Sequence, residues 1–373
     1  MKEYLLKEIA NVKNGYAFDS SKYSDKGIPI IRIADIKDNI DLSKCVCIDE
    51  EINKEFLIKK GSLLIALSGA TTGKMSVFSD NKIAYLNQRI CSIYTKNEDI
   101  SQEFLIYFLK SIQKKIIVNS YGGAQPNISS KWIENIKIKV PNIEIQKKIS
   151  KKLELLANSI NSRKSQLVFL KELTKSLFSR MFGDIKTNDK NWEIKKLGEV
   201  VQTQYGTSKK ATSVVGEFPI LRMNNITYFG EMDYKDLKYI ELSNSEKEKF
   251  LLKKGELLFN RTNSKELVGK TGLFNLDIPM AFAGYLIRIK PSNLIHSKFL
   301  LFFMNSEFMK KLLYNKAKNI VGMANINAKE LEDFSIILPP IELQKKFAER
   351  IEKIEKLSFN FYWTMKKKGV EKD

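Results

Sequence analysis

Ile149-Ser-Lys-Lys-Leu153-Glu-Leu-Leu156-Ala-Asn-Ser-Ile160-Asn-Ser-Arg163-Lys-Ser-Gln-Leu167-Val-Phe-Leu170-Lys-Glu-Leu-Thr174-Lys-Ser-Leu177-Phe-Ser-Arg-Met181 lies almost at the middle of a 373-residue chain. Taken in alternating steps of four and three, eight of its ten seam positions are apolar, Arg163 and Thr174 being the exceptions. A 3.5-residue repeat held this long predicts a helix packed along a seam. No Pro or Gly interrupts it before Gly183, which reads as a C-cap. At 1.5 Å per residue the helix would be about 50 Å long, as long as a small domain is wide.

Outward from this rod the chain repeats itself. Gly27-Ile-Pro-Ile-Ile-Arg-Ile-Ala-Asp-Ile36 aligns with Glu217-Phe-Pro-Ile-Leu-Arg-Met-Asn-Asn-Ile226, and Leu57-Ile-Lys-Lys-Gly-Ser-Leu-Leu64 with Leu251-Leu-Lys-Lys-Gly-Glu-Leu-Leu258. Gly73-Lys74 aligns with Gly269-Lys270, and Asn127-Ile128 with Asn325-Ile326. Val140-Pro-Asn-Ile-Glu-Ile-Gln-Lys-Lys-Ile149 aligns with Leu338-Pro-Pro-Ile-Glu-Leu-Gln-Lys-Lys-Phe347. The offsets rise from 190 to 198 in one direction, as small loop insertions make them.

Each repeat is a globular part followed by a helix, which divides the chain into 1–145, 146–183, 184–338 and 339–373. Residues 28–33 and 63–67 read as short buried strands, and 82–94 as another strand or pair. Residues 104–118 carry helical spacing, and 183–191 read as a polar linker. The second long helix spans about 341–368, with Phe347, Ile351, Ile354, Ser358, Phe361 and Met365 as its seam. Neither long helix can bury its seam alone. The fold class is therefore mixed α/β (α+β): two tandem pseudo-symmetric globular domains separated by a long antiparallel two-helix coiled coil. The seam of the first helix is Ile149, Leu153, Leu156, Ile160, Leu167, Leu170 and Leu177.

Composition narrows the class. A 43% hydrophobic content supports real cores, and no apolar run approaches the roughly 18 residues of a membrane span. Met1-Lys2-Glu3-Tyr4 opens without an apolar export segment, and Cys45, Cys47 and Cys91 form no CxxC, so a cytoplasmic protein with reduced thiols is expected. The formal net charge of +20 attracts polyanions, nucleic acid first, although a Lys-, Ile- and Asn-rich chain can also reflect an AT-rich genome.

Catalytic motifs are missing. His296 is the single histidine and reads as a surface or capping residue, so neither a zinc set nor a Ser-His-Asp triad is available. Gly69-Ala-Thr-Thr-Gly-Lys74 has three residues between its glycines where a P-loop has four, and Met75 follows the lysine. No Asn- or Asp-Pro-Pro-aromatic tetrad of an adenine methyltransferase occurs. The expectation is a non-catalytic chain that holds no metal or cofactor.

Reading DNA directly requires forked donors and amides on exposed loops. Only 8 residues are Arg, so their placement is informative. Arg32 and Arg222 occupy the same place in the two repeats and are either strand anchors or DNA contacts. The candidate contacts in the first repeat are Arg32, Ser68, Thr71, Thr72, Lys74, Gln88, Arg89, Tyr121 and Gln125. In the second they are Arg222, Asn224, Asn225, Arg261, Thr262, Asn263, Ser264, Lys265 and Lys270. Asn127 and Asn325 read as helix caps.

Across its whole length the chain resembles the specificity subunits of type I restriction–modification systems. The resemblance rests on Pro-x-Ile-Glu-x-Gln-Lys-Lys leading into each long helix and on Leu177-Phe-Ser-Arg-Met-Phe-Gly-Asp184 followed by Trp192. It implies two target recognition domains, each reading half of a bipartite double-stranded DNA target, with the helices setting the spacer. It also implies docking of two methyltransferase subunits, which bring S-adenosylmethionine, and of motor–nuclease subunits, which use ATP and Mg. The competing expectation is a helical-rod scaffold that bridges two proteins without reading DNA.

Overall fold

The computed structural model describes residues 1–120, 126–213, 216–320 and 323–367, the side chains of 318–320 and of residues beyond 358 excepted. The chain divides into two compact units, residues 1–161 and 162–373.

The first unit runs β1 (Lys2–Leu5), α1 (Leu6–Ile9), β2 (Ala10–Asn14), β3 (Ile28–Ile31), β4 (Cys47–Ile48), β5 (Leu63–Ala66), β6 (Met75–Val77), β7 (Tyr85–Leu86), β8 (Ile90–Thr95), α2 (Gln102–Ser111), α3 (Gln113–Val118), α4 (Ser130–Glu134), β9 (Lys137–Val140) and the start of α5 (Ile143–Phe182). Strands β2-β8-β5-β6 form an antiparallel sheet. A second sheet, β4-β3-β7, pairs β3 antiparallel to β4 and parallel to β7, and β1 closes against β9. Strand β5 is buried on both faces. Alternation sends Leu63 and Ile65 into the cluster that holds Leu105 and Leu109, and Leu64 into the one that holds Ile31 and Leu86.

The second unit holds the end of α5 and then β10 (Glu193–Lys196), α6 (Leu197–Val200), β11 (Val201–Tyr205), β12 (Phe218–Leu221), β13 (Lys238–Ile240), α7 (Asn244–Phe250), β14 (Leu257–Asn260), β15 (Thr262–Asn263), β16 (Thr271–Leu273), β17 (Ala281–Phe282), β18 (Leu286–Pro291), α8 (Ser297–Met304), α9 (Glu307–Lys316), β19 (Lys318–Ile320), β20 (Met323–Asn325), α10 (Ala328–Glu332), β21 (Ser335–Leu338) and α11 (Ile341–Lys367). Its sheets β11-β18-β14-β16, β13-β12-β17 and β10-β21 repeat the first unit strand for strand. The second unit also holds a ribbon, β15-β20-β19.

Several expectations need correction. The helix expected over 104–118 breaks at Ile112 into α2 and α3, whereas residues 82–94 hold one of the two expected arrangements, the pair β7 and β8. The stretch 183–191 is a built turn rather than a linker. Gly183 takes φ 81° as the C-cap, where a Cβ would collide with the Asp189 carboxylate. The Asp184 N–H donates to Asp189 Oδ1 (2.8 Å), and Trp192 Nε1 donates to the Phe182 carbonyl (2.8 Å). The Met-Phe-Gly-Asp…Trp signature is thus one helix-ending device. The helix caps are Ser129 and Asn327, not Asn127 and Asn325.

Helix α5 has 40 residues and α11 has 27. Leu177, Phe178, Met181 and Phe182 at the end of α5 pack into one cluster with Phe347, Ile351 and Ile354 of α11, the Phe178 and Phe182 rings lying 5.5 and 5.2 Å from Phe347. Ile160, Leu167 and Leu170 are half-buried. Among the described residues a seam buried continuously from its first residue is not found: Ile149, Leu153 and Leu156 are exposed. The Phe361 side chain lies outside the described residues.

A buried glutamine fastens each globular part to its long helix. Gln146 and Gln344 are 1% and 0% exposed. Gln146 accepts from the Ser101 N–H (2.9 Å) and donates to the carbonyls of Asp99 and Pro141 (both 2.9 Å). Gln344 accepts from the His296 N–H (2.8 Å) and donates to Leu294 (3.2 Å) and Pro339 (2.7 Å). Beside it, Lys298 Nζ on α8 meets Glu355 of α11 at 2.5 Å. The three cysteines are free and buried, and burial pushes the Cys45 and Cys91 thiols up to about 11 and about 12, which leaves them inert as nucleophiles.

Two outcomes follow for stability. Gln344→Ala should lower the unfolding free energy of the full chain by about 1–3 kcal/mol, since it strands three buried backbone groups; an unchanged urea midpoint would show that the clamp contributes nothing. His296 caps α8 through Nδ1, and burial lowers its pKa below 6.5, with Lys298 and Lys345 acting in the same direction and Glu352 against them. A depressed folded-state pKa means that the unfolded chain takes the proton first, so stability falls as pH drops through 6.5. Titration of this single imidazole by NMR, and a flatter stability profile in His296→Gln, check that sign.

Candidate nucleic-acid interface

The same cleft is built once in each globular part. In the first unit the Leu67 N–H donates to the Arg89 carbonyl (2.9 Å), the Ile128 N–H donates to the Leu67 carbonyl (2.8 Å), and Ser68 bridges Asn127. In the second, the Arg261 N–H donates to Tyr285 (3.0 Å), the Ile326 N–H donates to Arg261 (3.0 Å), and Thr262 pairs with Asn325. Strands β2 and β11 end at the clefts with Asn14 and Tyr205, opposite Cys91 and Ile287.

Glycine follows each of these ends. A Cβ on Gly15 would sit 2.1 Å from the Leu86 carbonyl oxygen, and one on Gly206 would sit 2.3 Å from that of Ala283. The crossing therefore demands Gly at both places. The backbone frame is common and the walls differ. The first cleft, about 420 Å³, is lined by Asn14, Leu67, Ser68, Gln88, Arg89, Asn127 and Ser130 among others. The second, about 520 Å³, is lined by Thr207, Ser208, Lys209, Arg261, Thr262, Gly284, Tyr285, Met323 and Asn325.

This geometry sorts the candidate residues. Gln88 and Arg89 are exposed, and with half-buried Ser68 they face the first cleft. Lys74 is exposed nearby in sequence, and Thr71 is half-buried. Tyr121 and Gln125 lie outside the described residues. Arg261 faces the second cleft with its guanidinium 4.7 Å from the Tyr205 ring centroid. Asn263, Ser264 and Lys265 are half-buried beyond it, with Lys265 Nζ over the Tyr314 ring at 4.6 Å. Asn224 is exposed.

Four candidates move from surface to framework. Thr72 is buried, and its hydroxyl donates to the carbonyls of Gly69 (2.6 Å) and Pro126 (3.0 Å). The Thr262 hydroxyl donates to Asn325 Oδ1 (3.2 Å) from a buried position, at the rim of the cleft. Asn225 is 2% exposed and holds its own turn through Asp233 and Asp236. Lys270 is 8% exposed, and its Nζ donates to the carbonyls of Met223 (3.0 Å) and Ile226 (2.6 Å); burial lowers its pKa. Arg32 and Arg222 each cap a 3-10 turn and pair with an acid of their own loop, Asp35 at 3.4 Å and Asp236 at 2.8 Å, so strand anchoring describes both.

Asn14, Thr207, Tyr285, Asn127 and Asn325 complete the walls without having been singled out as contacts, and Tyr205 lies behind Arg261. The signal that could have found Asn14 and Tyr205 is the repeated glycine after them. Among the described residues no group of acids, His and Cys could hold a metal ion, and no helix is long and apolar enough to cross a membrane.

A model of the type I restriction modification DNA specificity domain matches residues 1–168 and again 189–361. The chain belongs to this family. The specificity subunit of the type I restriction enzyme EcoBI from Escherichia coli is 23% identical over 377 residues, covering 93% of this chain and 77% of the relative. That of EcoKI from E. coli strain K12 is 27% identical over 356 residues, covering 88% and 76%. The type I restriction-modification S subunit from M. genitalium, solved by crystallography, shares the fold at a TM-score of 0.61 and 15% identity over 99% of this chain and 93% of that one.

For a specificity subunit, the split between Lys74 and Lys270 makes a sharp comparison, because the two lysines are aligned in sequence. Lys270→Ala should destabilise the fold by about 1–3 kcal/mol by leaving two carbonyls unpaired. Lys74→Ala should leave the melting temperature unchanged and reduce the salt slope of DNA binding by about one. Equal behaviour of the two variants in melting and salt titration would contradict this placement.

Proposed function

We propose that each cleft reads one half of a split double-stranded DNA target, and that the long helices pair to fix the separation of the halves. The observation that carries this reading is the cleft built twice on one backbone frame with different walls. A conserved frame with divergent side chains suits two different short sequences, since base edges are discriminated by the donors and acceptors presented to them. Lysines spread over a chain of net charge +20 supply the phosphate attraction that such reading needs.

In this reading the chain is itself non-catalytic and works in the cytoplasm. Two methyltransferase subunits dock on it and bring S-adenosylmethionine. Motor–nuclease subunits bring ATP and Mg. Half-sites one turn apart lie about 34 Å from centre to centre. At 1.5 Å per residue, α5 is about 60 Å long, enough to span that distance.

A fixed separation makes the spacer intolerant. Inserting three base pairs turns one half-site by roughly 100° relative to the other. Binding measured with the partner methyltransferase should then fall to the non-specific level. Binding that survives the insertion would remove the ruler from this proposal, and salt-independent binding would favour a scaffold that merely bridges proteins.

A further inference from the structure

We propose that the half-site read by the second domain carries an obligatory guanine, and that Tyr205 is the positioning residue that aims Arg261 at it. The inference rests on the reading of the clefts given above and names what one of them selects. Tyr205 is pinned at its far end, where its hydroxyl accepts from the Ala328 N–H at the start of α10 (2.9 Å). The ring so fixed lies 4.7 Å from the Arg261 guanidinium. The Arg261 backbone is held on both sides, its N–H by the Tyr285 carbonyl and its carbonyl by the Ile326 N–H (both 3.0 Å).

Among the described residues Arg261, like Arg89 in the first cleft, differs from the remaining arginines of the globular parts in what it lacks. Arg32, Arg222 and Arg288 each pair with a carboxylate, whereas among the described residues none pairs with Arg261. Its Nε is buried without a hydrogen-bond partner. A planar fork, stacked on an immobile ring and left without an acceptor, matches two adjacent in-plane acceptors, and in the major groove that edge is guanine O6 and N7.

Phosphate would also accept the fork. However, the pair is confined to one wall, since the first domain places Leu67 and Asn14 where the second has Arg261 and Tyr205. Backbone contacts belong to a frame both domains share, and a contact present in only one suits sequence reading.

The test is the methylated motif in cells that express the full chain with its methyltransferase subunit, for the wild type, Arg261→Ala, Tyr205→Phe and Tyr205→Ala. The wild type should show a fixed guanine in one half-site that Arg261→Ala relaxes. Tyr205→Ala should relax the same position, with about tenfold less discrimination, while the other half-site stays fixed and reports a folded complex. Tyr205→Phe keeps the ring but loses the Ala328 hydrogen bond, so it should relax the guanine less than Tyr205→Ala does. The proposal is overturned if the base released by Arg261→Ala is not guanine, if Tyr205→Ala weakens methylation equally at every sequence or leaves the base fixed, or if Tyr205→Phe behaves as Tyr205→Ala does. A wild-type motif with only one fixed half would instead overturn the two-cleft reading itself.

Discussion

The buried amide of Gln146, and of Gln344 in the second repeat, is the constraint on which the rest depends. Each side chain satisfies one N–H and two carbonyls that no helix or strand ladder reaches. A glutamate there would bring a buried charge and could not donate to both carbonyls, and an apolar residue would leave all three groups unpaired. Glutamine alone among residues of that length offers an acceptor and two donors in one plane. The angle at which a long helix leaves its globular part is thereby fixed by hydrogen bonds, which have direction, and not only by apolar packing, which has little. The ruler proposed for the long helices needs that stiffness at the joint as well as along the rod.

The repeat was legible because its physical demands recur. Apolar strands that bury both faces, the Gln-Lys-Lys helix starts and the Gly183 cap each leave a local signature, and the fold follows from them. The clefts were half legible. Gln88, Arg89 and Arg261 stand on polar tips after apolar runs, which is where exposure is expected. Lys270 and Asn225 stand on similar tips and point inward, because a three-residue turn can be closed by a side chain as readily as by backbone. Nothing in a lysine's neighbours along the chain announces that two carbonyls are waiting beneath it. Tyr205 escaped for the opposite reason: it ends a strand of ordinary pattern, and its importance comes from Ala328 and Arg261, 123 and 56 positions away.

The distribution of arginine separates recognition from attraction. With 8 Arg in a chain of 63 basic residues, lysine carries the field and arginine is kept for places where a fixed fork matters. Three of the eight close the framework of their own domain: Arg32 on Asp35, Arg222 on Asp236, and Arg288 on Glu256, Gln204 and the Leu251 carbonyl. Arg163, Arg180 and Arg350 lie on the long helices. Arg89 and Arg261 remain, one in each cleft, and they enter by different routes, Arg89 from the turn between β7 and β8 and Arg261 from the end of β14. A duplicated domain that had kept its original contact would show them at aligned positions. Their displacement by a whole strand means that one common frame carries its cleft arginine at two different places, so the two clefts present the fork from different walls.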